Sequence, residues 1–378
     1  EEDPTSDPLL SDLTSQQREA VTHVDGPLLV LAGPGSGKTR VITRRVAYLV
    51  LRIGIPPWNV LAITFTNRAA AEMRDRTAQL LSPRQARALN LSTFHSLGAR
   101  VIRQHADRLG LPSGYSIYDA ADQQRAVKQA IADLGINTKN FPPGAVLANI
   151  SNAKNALLDP ETFAQTAGEF FSRTVARIYG QYEQILQRNK ALDFDDLLTK
   201  MIRLFKTSPD TLAKLRERFI YIVVDEYQDT NHAQFLIANA LAAPQNHICA
   251  TGDPDQSIYG WRGADISNIL EFESHYPNAK IVRLEQNYRS TKQILAVADQ
   301  LIRHNTQRKH KELWTENPTG EPGQLVRCQD EREEAHWVVH QFRELHKKGT
   351  AWSEMAVFYR VNSLSRVIED AMRTQSIP

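Results

Sequence analysis

The segment Ala32-Gly-Pro-Gly-Ser-Gly-Lys-Thr39 holds the sharpest chemistry in this 378-residue chain. Glycines let a backbone wrap closely around a phosphate, and the N–H groups that open a helix point at it with a favourable dipole. Gly33, Gly35, Ser36 and Gly37 would form such a cradle, Lys38 would bridge the outer phosphates, and Thr39 would offer its hydroxyl to Mg²⁺. Ala32 stands where loops of this kind usually start with glycine. The second constellation is Val223-Val-Asp-Glu-Tyr-Gln-Asp-Thr230. Two adjacent carboxylates at the end of an apolar strand are costly unless something pairs with them. Asp225 would complete a Mg²⁺ shell, and Glu226 would orient and deprotonate an attacking water.

These residues need elements to position them. Leu28–Ala32 is a short, wholly apolar run, as expected of a parallel strand buried on both faces. A helix is expected near Thr14 before it, and another over 38–52 after the glycine-rich turn. Strand 60–65 and helix 67–81 continue the strand–helix alternation of a parallel α/β sheet. The stretch 95–218 then reads as mostly helical. Strands return at 221–224, 247–251 and 280–284. Beyond Arg289, helices are expected at 291–303, 330–346 and 363–374, with strands at 324–328 and 355–359 and a loop over 305–323. Asp225 lies 187 positions after Lys38. That separation implies a helical module inserted into one nucleotide-binding core.

Composition narrows the classes. Hydrophobic residues make 42% and charged residues 23%, an ordinary globular mix that excludes a disordered or low-complexity chain. Lys and Arg number 45 against 43 Asp and Glu, a net charge of +2. That excludes a uniformly basic coat for nucleic acid and leaves room for a local basic groove. No apolar run approaches the roughly 18 residues of a membrane span. The acidic start lacks a signal-peptide pattern and an initiator Met, so a trimmed or processed start is expected. Cys249 and Cys328 sit in apolar stretches and read as reduced thiols of a cytoplasmic protein. His336 and His340 are four apart, but Trp337 and the lack of a third ligand argue against zinc. Mg²⁺ with ATP is the only metal inferred.

At this point the chain resembles superfamily 1A DNA helicases of the UvrD/PcrA/Rep type. Ordered motifs carry the resemblance: LTSQQREAV, GPGSGKTR, ITFTNRAAAEMRDR, STFHSL, LDFDDLL, VVDEYQDTN, GDPDQSIYGWRGA, LEQNYRST and VFYRVNSLSRVIEDAM. It implies an α/β fold. A RecA-like P-loop domain would span 1–95 plus 219–283, with an inserted helical subdomain at 96–218 and the first part of a second RecA-like domain at 284–378. It implies that Gln17 reads adenine, Arg40 and Arg76 reach the nucleotide, and Tyr288 stacks on the base. Gln256 would sense the γ-phosphate, and Arg289 would be an arginine finger from the second α/β domain. Phe65, Phe194, Tyr259 and Trp261 would stack DNA bases. Thr64, Thr93, His95, Arg262, Arg360 and Asn362 would contact phosphate or sugar. The basic stretch 303–311 would flank DNA or form a solvated loop.

The implied activity is ATP-dependent, 3′ to 5′ movement on single-stranded DNA in repair or replication restart, with single/double-strand junctions as substrates. Two alternatives stand. One is a nucleotide-gated single-strand-binding module without turnover. The other is the motor of a helicase-nuclease, although no cluster of nuclease acids is present. The family's motifs V and VI are not found. The expectation is therefore a fragment, with a second polypeptide piece carrying the rest.

Overall fold

The computed structural model describes residues 7–378, except the side chain of Arg262. It divides into two compact units, one ending at Gly320 and the other running from Glu321 to Pro378.

The first unit is built on a six-stranded parallel sheet. In chain order its strands are β1 (Leu28–Ala32), β2 (Val60–Thr64) and β3 (Asn90–Thr93); a separate short pair is β4 (Ser116–Ile117) and β5 (Ala191–Leu192). The sheet continues with β6 (Tyr221–Val224), β7 (Ile248–Gly252) and β8 (Lys280–Leu284). The order across it is β3-β2-β6-β7-β1-β8. Alternate side chains of one strand point to opposite faces. Leu29, Leu31, Leu61 and Ile63 accordingly enter one core with Phe94, Met201 and Phe272, while Leu28, Val30, Val60 and Ala62 enter the other with Ile42, Val46 and Met73. Burial on both faces explains why β1 reads as an unbroken apolar run.

The stretch between β3 and β6 is largely helical, as expected. Its own core gathers Val127, Ile131, Val146, Ile150, Ile178, Tyr182 and Ile185. Beneath it Lys154 is buried and reaches Glu183 at 2.6 Å, Asp193 at 2.8 Å and Asp196 at 3.0 Å. Asp193 also caps the helix Phe194–Thr207 by a capping box with Asp196. The ion cluster therefore fixes both the insertion and the start of that helix.

Two expectations fail in the second unit. Segments 324–328 and 355–359 are irregular, and the described residues of this unit hold helices Glu331–Lys347 and Ser365–Thr374 without a strand. A β-strand exists only if its backbone groups pair with a neighbour, and apolar alternation alone supplies none. The two helices pack together, with Arg343 donating to Gln375 at 2.6 Å. The expected strand 60–65 ends one residue early, and 247–251 shifts by one to Ile248–Gly252. The expected helix 67–81 stops at Ala78 and a second begins at Pro83. The segment after β8 groups with the first unit as far as Gly320.

Candidate functional site

In an open parallel sheet, ligands bind at the carboxyl ends of the strands. Here the turns after β1, β2, β6 and β7 carry, in order, Gly33–Thr39, Phe65–Thr66, Asp225–Glu226 and Asp253–Gln256, and β3 ends on Thr93. One edge of the sheet thus collects residues far apart in sequence.

The glycine-rich turn feeds the helix Lys38–Leu51. Gly35 and Gly37 have φ of +65° and +89°, a region that penalises any Cβ. Space is a second constraint at Gly35, because a Cβ there would lie 2.7 Å from the Arg289 Cβ and 2.8 Å from Asn287 Nδ2. The Ser36 hydroxyl donates to the Gly33 carbonyl at 2.7 Å, closing the turn. A cleft of about 450 Å³ is lined by the turn from Gly33 to Arg40 and by Gln17, Glu72, Arg76, Glu226, Gln256, Tyr288 and Arg289. Every nucleotide-contacting residue expected from the sequence, together with Lys38, Glu226, Gln256 and Arg289, lines this one cleft.

Several have partners already. Gln17 closes the capping box of helix Ser15–Thr22 and donates from Nε2 to the Ser36 carbonyl at 3.0 Å. Arg40 pairs with Asp12, and Arg76 with Glu72 at 2.5 Å. Lys38 Nζ meets Glu226 Oε2 at 3.1 Å. Glu226 sits at φ +51°, a left-handed conformation rare outside glycine and often kept at working sites. Burial, and then the charge of Glu226, push the Asp225 carboxyl up to about 7, against the pull of Lys38. A buried carboxyl held this high gains from a nearby cation. Its oxygens and the Thr39 hydroxyl are the hard donor set that suits Mg²⁺.

Arg289 lies on the segment after β8, which groups with the first unit as far as Gly320. A residue that pattern reading passed over, Asn287, explains how it is held. Asn287 is buried and donates from Nδ2 to the Pro34 carbonyl at 2.6 Å. Its Oδ1 accepts from the N–H groups of Arg289 and Ser290 at 2.8 and 2.7 Å. The Tyr288 N–H adds a bond to the Gly35 carbonyl at 2.9 Å. The Asn-Tyr-Arg run within LEQNYRST was the available signal.

On the other side of the β6 turn lies an aromatic groove of about 510 Å³, lined by Thr64, Phe65, His95, Asp229, Tyr259 and Trp261, among others. Its far wall, with Ser151, Asn152, Asn155 and Asp195, comes from the helical insertion. Phe65 and Tyr259 stack at 5.0 Å between ring centres. Trp261 is 67% exposed. A neighbouring hollow of about 400 Å³ shares Phe65 and His95 and adds Thr93 and Phe194. His95 and Phe194 meet edge to face at 6.0 Å. Burial alone lowers the pKa of His95, which favours the neutral ring.

The hydroxyls of Thr64 and Thr93 are engaged locally, with the Thr66 carbonyl and with Ser96. Arg360 and Asn362 belong to the second unit. The side chain of Arg262 lies outside the described residues. The stretch 303–311 is neither groove wall nor solvated loop throughout: Lys311 is buried against Asp253 and Asp255, Arg308 reaches Asp255 at 3.0 Å, and Lys309 pairs with Glu273. Buried carboxylates on the β7 turn claimed Arg308 and Lys311, which composition alone could not foretell.

Comparisons with known proteins agree along the whole chain. The family model described as the UvrD/REP helicase N-terminal domain matches residues 13–277, and that of the UvrD-like helicase C-terminal domain matches 282–378. A protein of Staphylococcus epidermidis named ATP-dependent DNA helicase PcrA is 47% identical over 98% of this chain and 51% of its own length. The protein of that name in Bacillus subtilis is 47% identical over 97% of this chain and 50% of its own, and that of Leuconostoc citreum 46% over 98% and 50%. The chain therefore spans about half the length of these curated relatives.

Proposed function

Because this chain belongs to the UvrD/REP helicase family, we propose that it forms the ATP- and single-strand-binding part of an ATP-dependent DNA helicase. One observation carries the reading: a single sheet edge presents a phosphate cradle on one side of the β6 turn and a stacking groove on the other.

In this reading the cradle and Lys38 hold the phosphates of ATP, Thr39 and Asp225 hold Mg²⁺, and Tyr288 and Gln17 meet the base. Bound Mg²⁺ neutralises phosphate charge. Glu226 takes the proton of the attacking water, and Arg289 balances charge that develops on the transferred group. Lys38 now pairs with Glu226, so arriving phosphates compete for the lysine and free the carboxylate. Phe65, Tyr259 and Trp261 stack successive bases without regard to sequence. The finer assignment is 3′ to 5′ movement on single-stranded DNA, entered from single/double-strand junctions, in repair or replication restart. The domain boundaries proposed are the P-loop domain at 1–95 plus 219–283, the insertion at 96–218 and a second α/β domain from 284.

Lys38→Ala is expected to reduce affinity for a fluorescent ATP analogue by at least about 100-fold, given the weight of charge-assisted phosphate contacts. Unchanged affinity would remove the cleft from this role. Hydrolysis by the chain with and without single-stranded DNA separates a motor from a nucleotide-gated binding module, which would bind both ligands and turn over neither.

A further inference from the structure

Gln228 lies between the two sites and belongs to neither. It is 1% exposed, on the single turn Tyr227–Asp229 that follows Glu226. Its Nε2 donates to Glu226 Oε2 at 2.9 Å and to Asp229 Oδ2 at 3.3 Å. Its Oε1 accepts from the Asp253 N–H at 3.0 Å, and its main-chain carbonyl accepts from the Ser257 hydroxyl at 3.3 Å. An amide group offers two donor hydrogens and one acceptor oxygen, and all of these are engaged here. Gly252 is needed beside it, since a Cβ there would collide with Oε1. The amide therefore cannot swing without disturbing the β7 turn, which carries Gln256.

The two carboxylates that share the Nε2 group face different ligands. Glu226 lines the nucleotide cleft and pairs with Lys38. Asp229 lines the aromatic groove, and its second oxygen, Oδ1, is buried without a hydrogen-bond partner. Burial, and then the charge of Glu226, push the Asp229 carboxyl up to about 6. A group entering the groove that engages Oδ1 would shift Asp229 and redistribute the two hydrogens of Gln228. The position of Glu226 would follow.

We infer that Gln228 is a positioning residue that couples occupancy of the aromatic groove to the placement of Glu226, by way of Asp229. This rests on the proposed function, in which the groove holds single-stranded DNA and the cleft holds ATP.

The test is a binding cycle on the full chain. Affinity for a fluorescein-labelled single strand is measured by anisotropy with and without a non-hydrolysable ATP analogue and Mg²⁺. The wild-type ratio is expected to fall between roughly 5- and 150-fold. Gln228→Met keeps the volume and loses the amide. It should bring the ratio to within about 2-fold of unity while each affinity alone stays within about 3-fold of wild type. Asp229→Ala should lose the ratio as well, and so should the near-isosteric Asp229→Asn, whose single oxygen cannot accept from both Gln228 and a donor in the groove. A wild-type ratio in either Gln228→Met or Asp229→Ala overturns the inference, as does a wild-type ratio of unity or a fall in both separate affinities in Gln228→Met. If Gln228→Met does not fold, a wild-type ratio in Asp229→Asn overturns it. A wild-type chain that binds neither ligand would instead sink the proposed function.

Discussion

At the scale of single residues, the most exposed large ring in the groove and the tightest glycine in the cradle make opposite predictions. Trp261 is 67% exposed on the groove, and stacking on a base contributes roughly 1–3 kcal/mol. Trp261→Ala should weaken single-strand binding by about 5- to 150-fold in anisotropy and leave nucleotide affinity unchanged. Gly35→Ala should do the reverse. Its Cβ would meet Arg289 and Asn287 and would sit at a φ of +65°. Nucleotide affinity should fall by at least about 10-fold, with single-strand binding kept, because the strain is confined to the cradle. Glu226→Gln removes a base and keeps the shape, so ATP binding should persist while turnover falls by about 100-fold or more, read in a hydrolysis assay of a chain competent to hydrolyse.

At the scale of elements, the buried cluster around Lys154 is the most fragile joint. Lys154→Met would strand Asp193 and Asp196 in the core, and breaking such a pair costs about 3–5 kcal/mol. Urea unfolding should report that loss, and adding Asp196→Asn should recover part of it by removing one of the two charges. The elements also show what the sequence could reveal. β1 and β6 match their expected bounds because each is a continuous apolar run buried in a parallel sheet; β8 matches as an edge strand, Lys-Ile-Val-Arg-Leu, whose Val282 and Leu284 alone are buried. β3 escaped notice: Asn-Leu-Ser-Thr is short and polar, and its strand character comes from pairing with β2 at the sheet edge. The expected strands at 324–328 and 355–359 erred the other way, with a suitable pattern and no partner. The residues of the cleft were legible because phosphate chemistry restricts both type and spacing. Asn287, Gln228 and Lys311 were not, since their importance lies in hydrogen bonds and ion pairs between distant segments.

At the scale of the whole molecule, the charge balance of +2 is compatible with strand binding only if local contacts carry it. Each phosphate neutralised on a single strand contributes about −0.7 to the slope of log affinity against log salt. Stacking contributes little to that slope. Trp261→Ala should therefore lower affinity by a similar factor from low to high salt and leave the slope unchanged, which a titration series at several salt concentrations would check. Among the described residues no helix is long and apolar enough to cross a membrane.

The strand order has a consequence for how the protein is made. β1 pairs only with β7 and β8, so the apolar strand leading into the phosphate cradle has no neighbour until about 215 further residues have left the ribosome. At roughly 5–20 residues per second, this strand waits about 10–40 s. The insertion, whose core is local in sequence, can fold during that interval. Nascent chains stalled before Ile248 should accordingly show a protease-resistant helical module beside a protease-sensitive β1, and their exposed strand gives chaperones a reason to hold the chain.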